Sequence, residues 1–218
     1  MKFSGVIPFS SQQLDAELAA HVAAARKALV QVRTGRNGAG SGVIIHGDGL
    51  IVTNAHVVRR RSPAIVLSSG EQLPSRLLAY DEAKDLAAIS VDVNGRQLVA
   101  LTLGDSRRLR TGSLVLALGH PWGVVGAASA GMVIGVGRPL EPLPYRGELI
   151  QVGLNLRPGH SGGPMLDATG ELVGINTMIA GPMVGLAVPA ETVTRFLKEN
   201  LGTDRKERTR PKPQAVPA

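Results

Sequence analysis

Apolar residues in this chain occur in many short runs separated by glycine, proline and polar residues, which is typical of β-strands. A first set of such runs covers residues 28–33, 42–46, 50–53, 64–68 and 86–91. A second set covers residues 113–118, 132–136, 149–154, 164–167, 172–177 and 183–188. The stretch near residues 94–112 separates the two sets. The pattern therefore predicts an all-β fold of two packed six-stranded antiparallel β-barrels, about 26–95 and about 110–190.

Helical periodicity is found only near the two ends of this region. Leu14, Leu18 and Val22 recur at helical spacing, which predicts a short helix over residues 12–25. A second amphipathic stretch predicts a C-terminal helix over residues 190–201.

These elements divide the chain into three parts. Residues 1–11 are expected to form an irregular arm, and residues 12–202 are expected to form one globular domain that holds both barrels and the C-terminal helix. Residues 203–218 are basic and rich in proline, so this tail is expected to be disordered. Between residues 45 and 50, Asp48 and Gly49 predict a hairpin turn in which both adopt positive φ angles.

The composition supports a globular protein and limits its chemistry. The 218 residues are 44% hydrophobic, with no apolar run of the roughly 18 residues that a membrane span needs. There is no cysteine, which excludes disulfides, a thiolate nucleophile and a cysteine metal site. The first residues lack the apolar block of a signal peptide, so a cytoplasmic location is expected, with an exported, processed form as the alternative.

The net charge of +7 raises the question of nucleic-acid binding. Five basic and two acidic residues lie in the tail, and further arginines cluster at 59–61 and 107–110. The chain has only six aromatic residues, and none is interleaved with these clusters, so stacking platforms for single strands are not expected. The charge favours a solvated surface with weak affinity for polyanions over a specific nucleic-acid site.

The segment 157–164, Arg-Pro-Gly-His-Ser-Gly-Gly-Pro, carries the clearest chemical signal. Ser161 lies between glycines, whose small size lets a carbonyl group approach and whose backbone N–H groups can face an oxyanion. The segment also matches the G-x-S-x-G turn of α/β-hydrolases, in which a histidine follows the serine in sequence. No histidine follows Ser161, so a base must come from upstream and that fold is excluded.

Two upstream residues are candidates for the base and its partner. His56 lies at the end of a predicted strand, and Asp85 lies just before another. Either residue alone is more often structural than catalytic. The order His56, Asp85, Ser161 is nevertheless the triad order of chymotrypsin-type proteases, with base and orienting acid from the first barrel and nucleophile from the second.

Several motifs together resemble the HtrA/DegP group of trypsin-like serine proteases. They are Gly40-Ser-Gly-Val-Ile-Ile, Ile51-Val-Thr-Asn-Ala-His-Val-Val, Asp85-Leu-Ala, Leu118-Gly-His-Pro-Trp-Gly, Gly159-His-Ser-Gly-Gly-Pro, Ile175-Asn-Thr and Gly185-Leu-Ala-Val-Pro. The similarity runs from about residue 12 to 200. It implies a chymotrypsin-like fold and a triad of His56, Asp85 and Ser161. It also implies an oxyanion hole built from the backbone of Gly159 and Ser161, with His160 completing the turn.

The chain departs from the family pattern in the same loop. The residue before the serine is usually asparagine in this family, and here it is His160, which is expected to shape the subsite beside the oxyanion hole rather than to act as a base. Arg157 also stands where asparagine is common, so the loop is expected to pack differently.

The resemblance also implies a primary substrate pocket, and its residues predict a shallow, apolar pocket that prefers aliphatic residues before the scissile bond. The expected lining residues are Asn155, Leu156, Asn176, Thr177, Met178, Leu186 and Ala187. Asn155 near the floor adds a polar group, and the absence of an acidic residue in this set argues against trypsin-like Arg/Lys selectivity.

The resemblance finally implies partners. Family members generally carry C-terminal PDZ domains, and this chain has only a short tail after its last predicted helix, so regulation by a PDZ domain is not expected. A homotrimer through Phe3 and Phe9 of the N-terminal arm is one expectation, and folding of this arm onto its own barrel is the alternative.

The sequence therefore predicts a serine endopeptidase that acts on unfolded or damaged proteins, in the manner of protein quality control, without metal or cofactor. The alternative is a catalytically silent protease-fold scaffold that binds a partner protein or a polyanion.

Overall fold

Two closed antiparallel β-barrels make up the computed structural model, which describes residues 10–35, 38–138, 145 and 147–202. The first barrel contains β1 Leu29–Thr34, β2 Gly38–His46, β3 Leu50–Thr53, β4 Ala64–Val66, β5 Gln72–Asp81 and β6 Leu86–Val91. The second contains β7 Leu114–Gly119, β8 Ala127–Gly137, β9 Leu149–Gly153, β10 Pro164–Asp167, β11 Leu172–Ile179 and β12 Gly185–Pro189. The fold predicted from the apolar runs is confirmed.

The barrels share one topology. The strand order is β1-β2-β3-β6-β5-β4 in the first and β7-β8-β9-β12-β11-β10 in the second, so the sixth strand lies beside the third in each. Closure leaves no free sheet edge around either barrel, and inward-facing aliphatic side chains fill the interiors. Val30, Ile44 and Ile89 are fully buried in the first barrel, and Val115 and Met165 in the second.

A third apolar cluster joins the barrels. It includes Val52 and Leu86 of the first barrel together with Leu149 and Ile175 of the second. Phe196 belongs to the same cluster and is the largest fully buried side chain of the described residues. It lies on the C-terminal helix α3, Ala190–Leu201, which therefore packs across the junction of the two barrels.

The N-terminal helix α1 spans Ser11–Ala28, one residue longer at its start and three longer at its end than predicted. The Ser10 side chain caps it by accepting a hydrogen bond from the backbone N–H of Gln13 at 3.4 Å. A short helix α2, Ala55–Val58, follows β3, and two 3₁₀ turns cover Ser106–Arg108 and Pro121–Gly123. No helix of the described ranges is long and apolar enough to cross a membrane.

Two local predictions were wrong. Strand β5 was missed because Pro74 and Arg76 interrupt its sequence and a register shift between Leu77 and Ala79 breaks its alternation. In the turn between β2 and β3, only Gly49 has a positive φ, of 89°, and Asp48 does not. A register shift between Ile44 and His46 supplies the additional bend.

Some predictions concern residues outside the described ranges. Phe3 and Phe9 of the arm and the tail 203–218 are among these. The candidate catalytic residues all lie in described segments. His56 is in α2, Asp85 directly precedes β6, and Ser161 is in the loop between β9 and β10.

Candidate active site

His56 and Asp85 are held together by three hydrogen bonds. The ring Nδ1 of His56 lies 2.9 Å from Asp85 Oδ2 and 3.0 Å from Oδ1, and the backbone N–H of His56 donates to Oδ1 at 3.0 Å. The His56 side chain is 48% exposed while that of Asp85 is 10% exposed. The carboxylate is therefore buried behind a ring whose other edge faces outward.

The position of Asp85 depends on its backbone and on a residue of the second barrel. Asp85 has a φ of 48°, in the left-handed region that aspartate tolerates better than most residues. The buried Asn54 donates from Nδ2 to the Asp85 carbonyl at 3.0 Å. Thr177 in β11 donates from Oγ1 to Asp85 Oδ2 at 2.5 Å. Asp85 thus accepts hydrogen bonds from both barrels, which fixes its carboxylate.

Ser161 lies in the loop that connects β9 to β10, opposite this pair. Its Oγ donates to the backbone carbonyl of Thr177 at 2.9 Å, and the described residues show no hydrogen bond between Ser161 and His56. Thr177 therefore contacts both sides of the site, Asp85 through its hydroxyl and Ser161 through its carbonyl.

Main-chain hydrogen bonds fix the loop around Ser161. Gly162 N–H donates to the Asn176 carbonyl at 2.9 Å, and Asn176 N–H donates back to the Gly163 carbonyl at 2.9 Å. From the first barrel, Ser41 N–H donates to the Ser161 carbonyl at 2.8 Å. The serine is thus bound to backbone from both barrels.

The two expected oxyanion donors, the N–H groups of Gly159 and Ser161, have no hydrogen-bond partner among the described residues. Gly159 has a φ of 105°, and a side chain there would clash with the backbone of His120 and Pro121, so only glycine fits. The Pro158 carbonyl accepts from Trp122 N–H at 3.4 Å. His160 N–H donates to the Arg157 carbonyl at 2.9 Å, so its amide completes the turn and is not a third donor.

His160 was expected to shape the subsite beside the oxyanion hole, but its side chain is buried beneath the loop. The residue is 1% exposed, and its ring Nδ1 lies 3.1 Å from Arg157 N and 3.2 Å from the Arg157 carbonyl. Burial lowers the pKa of His160 below the usual value for histidine. Because the residue before Ser161 points inward from the tight turn, its ring serves as packing beneath the loop.

Arg157 packs on the outer face of the same loop. Its guanidinium lies 4.4 Å from the ring centroid of Trp122, whose surface is 69% exposed. Trp122 has a φ of 50°, and this cation–π contact joins the turn after β7 to the loop of Ser161.

The expected pocket residues take several different positions. Leu156, Leu186 and Ala187 are at most 3% exposed and belong to the apolar cores, whereas Asn155 is exposed and does not lie on a buried floor. Asn176 is fully buried, with Nδ2 donating to the carbonyls of Leu118 and Pro164. Thr177 is 3% exposed and bound to Asp85, and Met178 is partly buried. Motif position alone did not distinguish residues that line a surface from residues that support it.

Sequence reasoning gave no role to Ser41 or His120, although both lie in the quoted motifs. Ser41 is fully buried, and its Oγ lies 2.7 Å from the Gly159 carbonyl and 2.9 Å from His120 Nδ1. Burial, with a smaller contribution from neighbouring His160, lowers the pKa of His120 to about 4. The only signal in the sequence was that Ser41 directly precedes one predicted apolar run, 42–46, and His120 closely follows another, 113–118.

Comparison with known families gives one matching family model. The description of that family is "Trypsin-like peptidase domain", and the match covers residues 40–175. The matched region includes His56, Asp85 and Ser161 together with Ser41 and His120.

Curated relatives of this chain are serine proteases. A probable periplasmic serine endoprotease DegP-like of Brucella suis is 36% identical over 166 residues, covering 73% of this chain and 32% of the relative. The serine protease HTRA1A of Danio rerio is 34% identical over 184 residues, covering 83% of this chain and 38% of the relative. The chain therefore spans about a third of the length of these relatives.

Comparison with solved structures also finds HtrA-type proteases. The HtrA-type protease AlgW with a decapeptide has a TM-score of 0.77 and 27% identity, covering 85% of this chain and 67% of that one. AlgW with a tripeptide also has a TM-score of 0.77, with 32% identity and coverage of 83% and 62%. The resemblance to the HtrA/DegP group drawn from the motifs is confirmed.

The expected cytoplasmic location was wrong. Relatives from Brucella, Bartonella and Halomonas are described as periplasmic, which favours the exported alternative. The prediction failed because it rested only on the first few residues of the sequence, which do not determine the compartment.

Proposed function

Because the chain belongs to the trypsin-like peptidase domain family, we propose that it is a serine endopeptidase in which Ser161 is the nucleophile and His56 the general base. Asp85 holds the imidazole of His56 in one orientation and stabilises its cation. The backbone N–H groups of Gly159 and Ser161 stabilise the oxyanion. The observation that carries the proposal is the bonding of His56 Nδ1 to the buried Asp85 carboxylate, which leaves Nε2 as the proton acceptor.

The reaction has two steps. Ser161 Oγ attacks a peptide carbonyl while its proton passes to His56 Nε2, and that proton is then given to the leaving amine as the peptide C–N bond breaks. Water, deprotonated by His56, then attacks the acyl-enzyme, and the new carboxylic acid leaves as Ser161 regains its proton.

The hydroxyl of Ser161 must turn before the first step. It donates to the Thr177 carbonyl in this structure, so attack requires rotation of the side chain away from Thr177 toward Nε2. The two oxyanion donors, the N–H groups of Gly159 and Ser161, need no hydrogen bond to be broken first, since they have no partner among the described residues.

We propose unfolded or damaged polypeptides as the substrates and aliphatic residues as the preferred side chains before the scissile bond. Two of the similar structures are those of AlgW with a decapeptide and of AlgW with a tripeptide, which supports peptide substrates. The proposed preference for aliphatic residues is supported by the surroundings of Gly185. A Cβ on Gly185 would lie 2.9 Å from Leu156 Cγ and 3.2 Å from Leu154 Cδ1. The side chains of Leu154 and Leu156 thus pack directly against Gly185, so the proposed pocket is bounded by aliphatic groups on this side.

The test compares three forms of the protein on unfolded β-casein and on native lysozyme. We expect wild type to cleave casein and to leave lysozyme intact, and sequencing of the fragments should give mainly aliphatic residues before the cut. Ser161→Ala and His56→Ala should cleave neither protein while keeping the wild-type melting temperature. Equal cleavage by Ser161→Ala would contradict the proposal.

One observation favours the second candidate function, a catalytically silent scaffold. The hydrogen bond of Ser161 to Thr177 leaves the nucleophile without contact to its base in this structure. If folded wild type leaves casein intact under all conditions, the scaffold is favoured and the endopeptidase is not.

A further inference from the structure

The carbonyl oxygens of both candidate oxyanion residues are bound by one residue of the opposite barrel. Ser41 donates its backbone N–H to the Ser161 carbonyl at 2.8 Å and its hydroxyl to the Gly159 carbonyl at 2.7 Å. Ser41 itself is fully buried, and its own carbonyl accepts from Thr53 Oγ1 at 2.6 Å. A single residue in β2 thus binds the peptide groups that follow Gly159 and Ser161.

His120 completes this arrangement from the second barrel. Its backbone N–H donates to the Gly159 carbonyl at 3.0 Å, and its ring Nδ1 lies 2.9 Å from Ser41 Oγ. A hydroxyl has one proton, and a carbonyl can only accept, so the Ser41 proton points to Gly159. His120 Nδ1 must therefore carry a proton and donate it to Ser41, which fixes the neutral ring as the Nδ1–H tautomer.

We infer that Ser41 and His120 are positioning residues that hold the oxyanion donors of Gly159 and Ser161 in place. The inference rests on the proposed serine endopeptidase function. Glycine at a φ of 105° has no side chain to restrict rotation, so external hydrogen bonds must fix the peptide groups on both sides of it. The Ser41 and His120 hydrogen bonds fix the Gly159–His160 peptide, which lies between the two peptides that carry the donor N–H groups. The Trp122 N–H bond to the Pro158 carbonyl fixes the peptide that carries the Gly159 N–H.

The position of Nδ1 in the His120 ring predicts different effects for two substitutions of this residue. An asparagine places its amide nitrogen near the position of Nδ1 and can still donate to Ser41, whereas a glutamine places its nitrogen near Nε2, one bond too far. His120→Asn is therefore the rescue variant and His120→Gln its matched control. Ser41→Ala removes the hydroxyl and leaves the backbone bond to Ser161 intact.

The experiment measures inactivation by a fluorophosphonate, separated into the binding constant KI and the maximal rate kinact. Oxyanion donors stabilise the charge that forms during attack and not the bound reagent, so kinact should change and KI should not. We expect kinact to fall about 10- to 100-fold in Ser41→Ala and about 10-fold in His120→Gln, less than the loss of a whole donor. His120→Asn should stay within about 3-fold of wild type, and Ser41→Ala/His120→Gln should be no slower than Ser41→Ala, because both act through one hydrogen-bond chain.

Thermal unfolding of each variant accompanies the kinetics. Unchanged kinact in Ser41→Ala and His120→Gln would overturn the inference, as would equal losses in His120→Asn and His120→Gln. A change in KI with an unchanged kinact would also overturn the inference. If wild type itself does not react with the fluorophosphonate, the proposed function fails, which is a separate result from a reactive wild type with unaffected variants.

Discussion

The two sides of the candidate site are held in different ways. On one side, His56 and Asp85 are fixed by side-chain hydrogen bonds, with Thr177 Oγ1 donating to a carboxylate that is 10% exposed. On the other side, the loop of Ser161 is fixed by backbone hydrogen bonds to Asn176 and Ser41. The first side depends on the chemical identity of a few side chains. The second depends mainly on close packing of main chain, to which the Ser41 hydroxyl adds a side-chain hydrogen bond at the Gly159 carbonyl.

This difference determines which substitutions each side tolerates. A side-chain network is broken by changing one polar atom, with little change in volume. A backbone network is broken by adding volume, because glycines in and around the loop let strands approach closely. Four predictions test the difference, beginning with the largest expected effect.

Asp85→Asn should break the side-chain side with the fold kept intact. The amide no longer stabilises the cationic ring and favours the wrong tautomer of His56, so the rate of casein cleavage should fall about 10⁴-fold. The melting temperature should change by only a few degrees. Asp92→Asn, at an exposed position after β6, is the matched control and should keep the wild-type rate.

Gly119→Ala should break the backbone side. A Cβ on Gly119 would lie 2.6 Å from the Cα of His160, so the loop must shift, with a loss of about 1–3 kcal/mol in the free energy of unfolding and about 100-fold in casein cleavage. Gly135→Ala is the control, because its Cβ would meet nothing closer than 3.8 Å. Equal effects of the two variants in urea unfolding and in activity would contradict the close-packing argument.

Thr177→Val sharpens the comparison, since Thr177 contacts both sides. Valine loses the hydroxyl that binds Asp85 but keeps the carbonyl that binds Ser161. We expect roughly a tenfold lower rate of casein cleavage, in line with a lost hydrogen bond to a charged group. Thr177→Ser retains the hydroxyl and should stay near the wild-type rate, and similar losses in both variants would show that the bond to Asp85 is unimportant.

Protonation of His120 in acid should lower the stability of the folded protein on the side of the Ser161 loop. The pKa of His120 is about 4 in the folded protein against about 6.5 when unfolded, so the unfolded chain binds more protons between these pH values. The free energy of unfolding should therefore fall as pH drops from about 6.5 to about 4, by at most about 3 kcal/mol and by less with solvent screening.

His120→Asn should reduce this pH dependence, measured by urea unfolding at each pH. Buried His160 also has a lowered pKa and acts in the same direction, so a smaller fall should remain in the variant. An identical pH dependence in both proteins would show that His120 does not carry the effect.

The sequence pointed to the candidate catalytic residues but not to the residues that support them. Order and motif made His56, Asp85 and Ser161 the candidate catalytic residues, because these residue types are unusual at strand ends and in a glycine-rich turn. The supporting residues Ser41 and His120 were missed, since Ser41 contacts the His120 ring 79 positions away and the Gly159 carbonyl 118 positions away along the chain. Likewise Thr177 was expected in a pocket and instead contacts Asp85, 92 residues away.

The strands of the fold also differed in how well the sequence predicted them. Strands with regular apolar runs were predicted well, and β3 and β6 were predicted with the correct residues at both ends. Strand β5 was not, because Pro74 and a register shift hide its alternation and only its pairing with β4 and β6 makes it a strand. Local patterns thus predict elements that carry their own signal, and pairing partners determine the rest.

The proposed nucleophile is tested most directly by mapping where a fluorophosphonate binds covalently. Intact-mass and peptide mass spectrometry should find one adduct on wild type, located on Ser161, and none on Ser161→Ala of equal melting temperature. An adduct on another residue, or no adduct on the folded wild type, would contradict the proposal that Ser161 is the nucleophile of a serine endopeptidase.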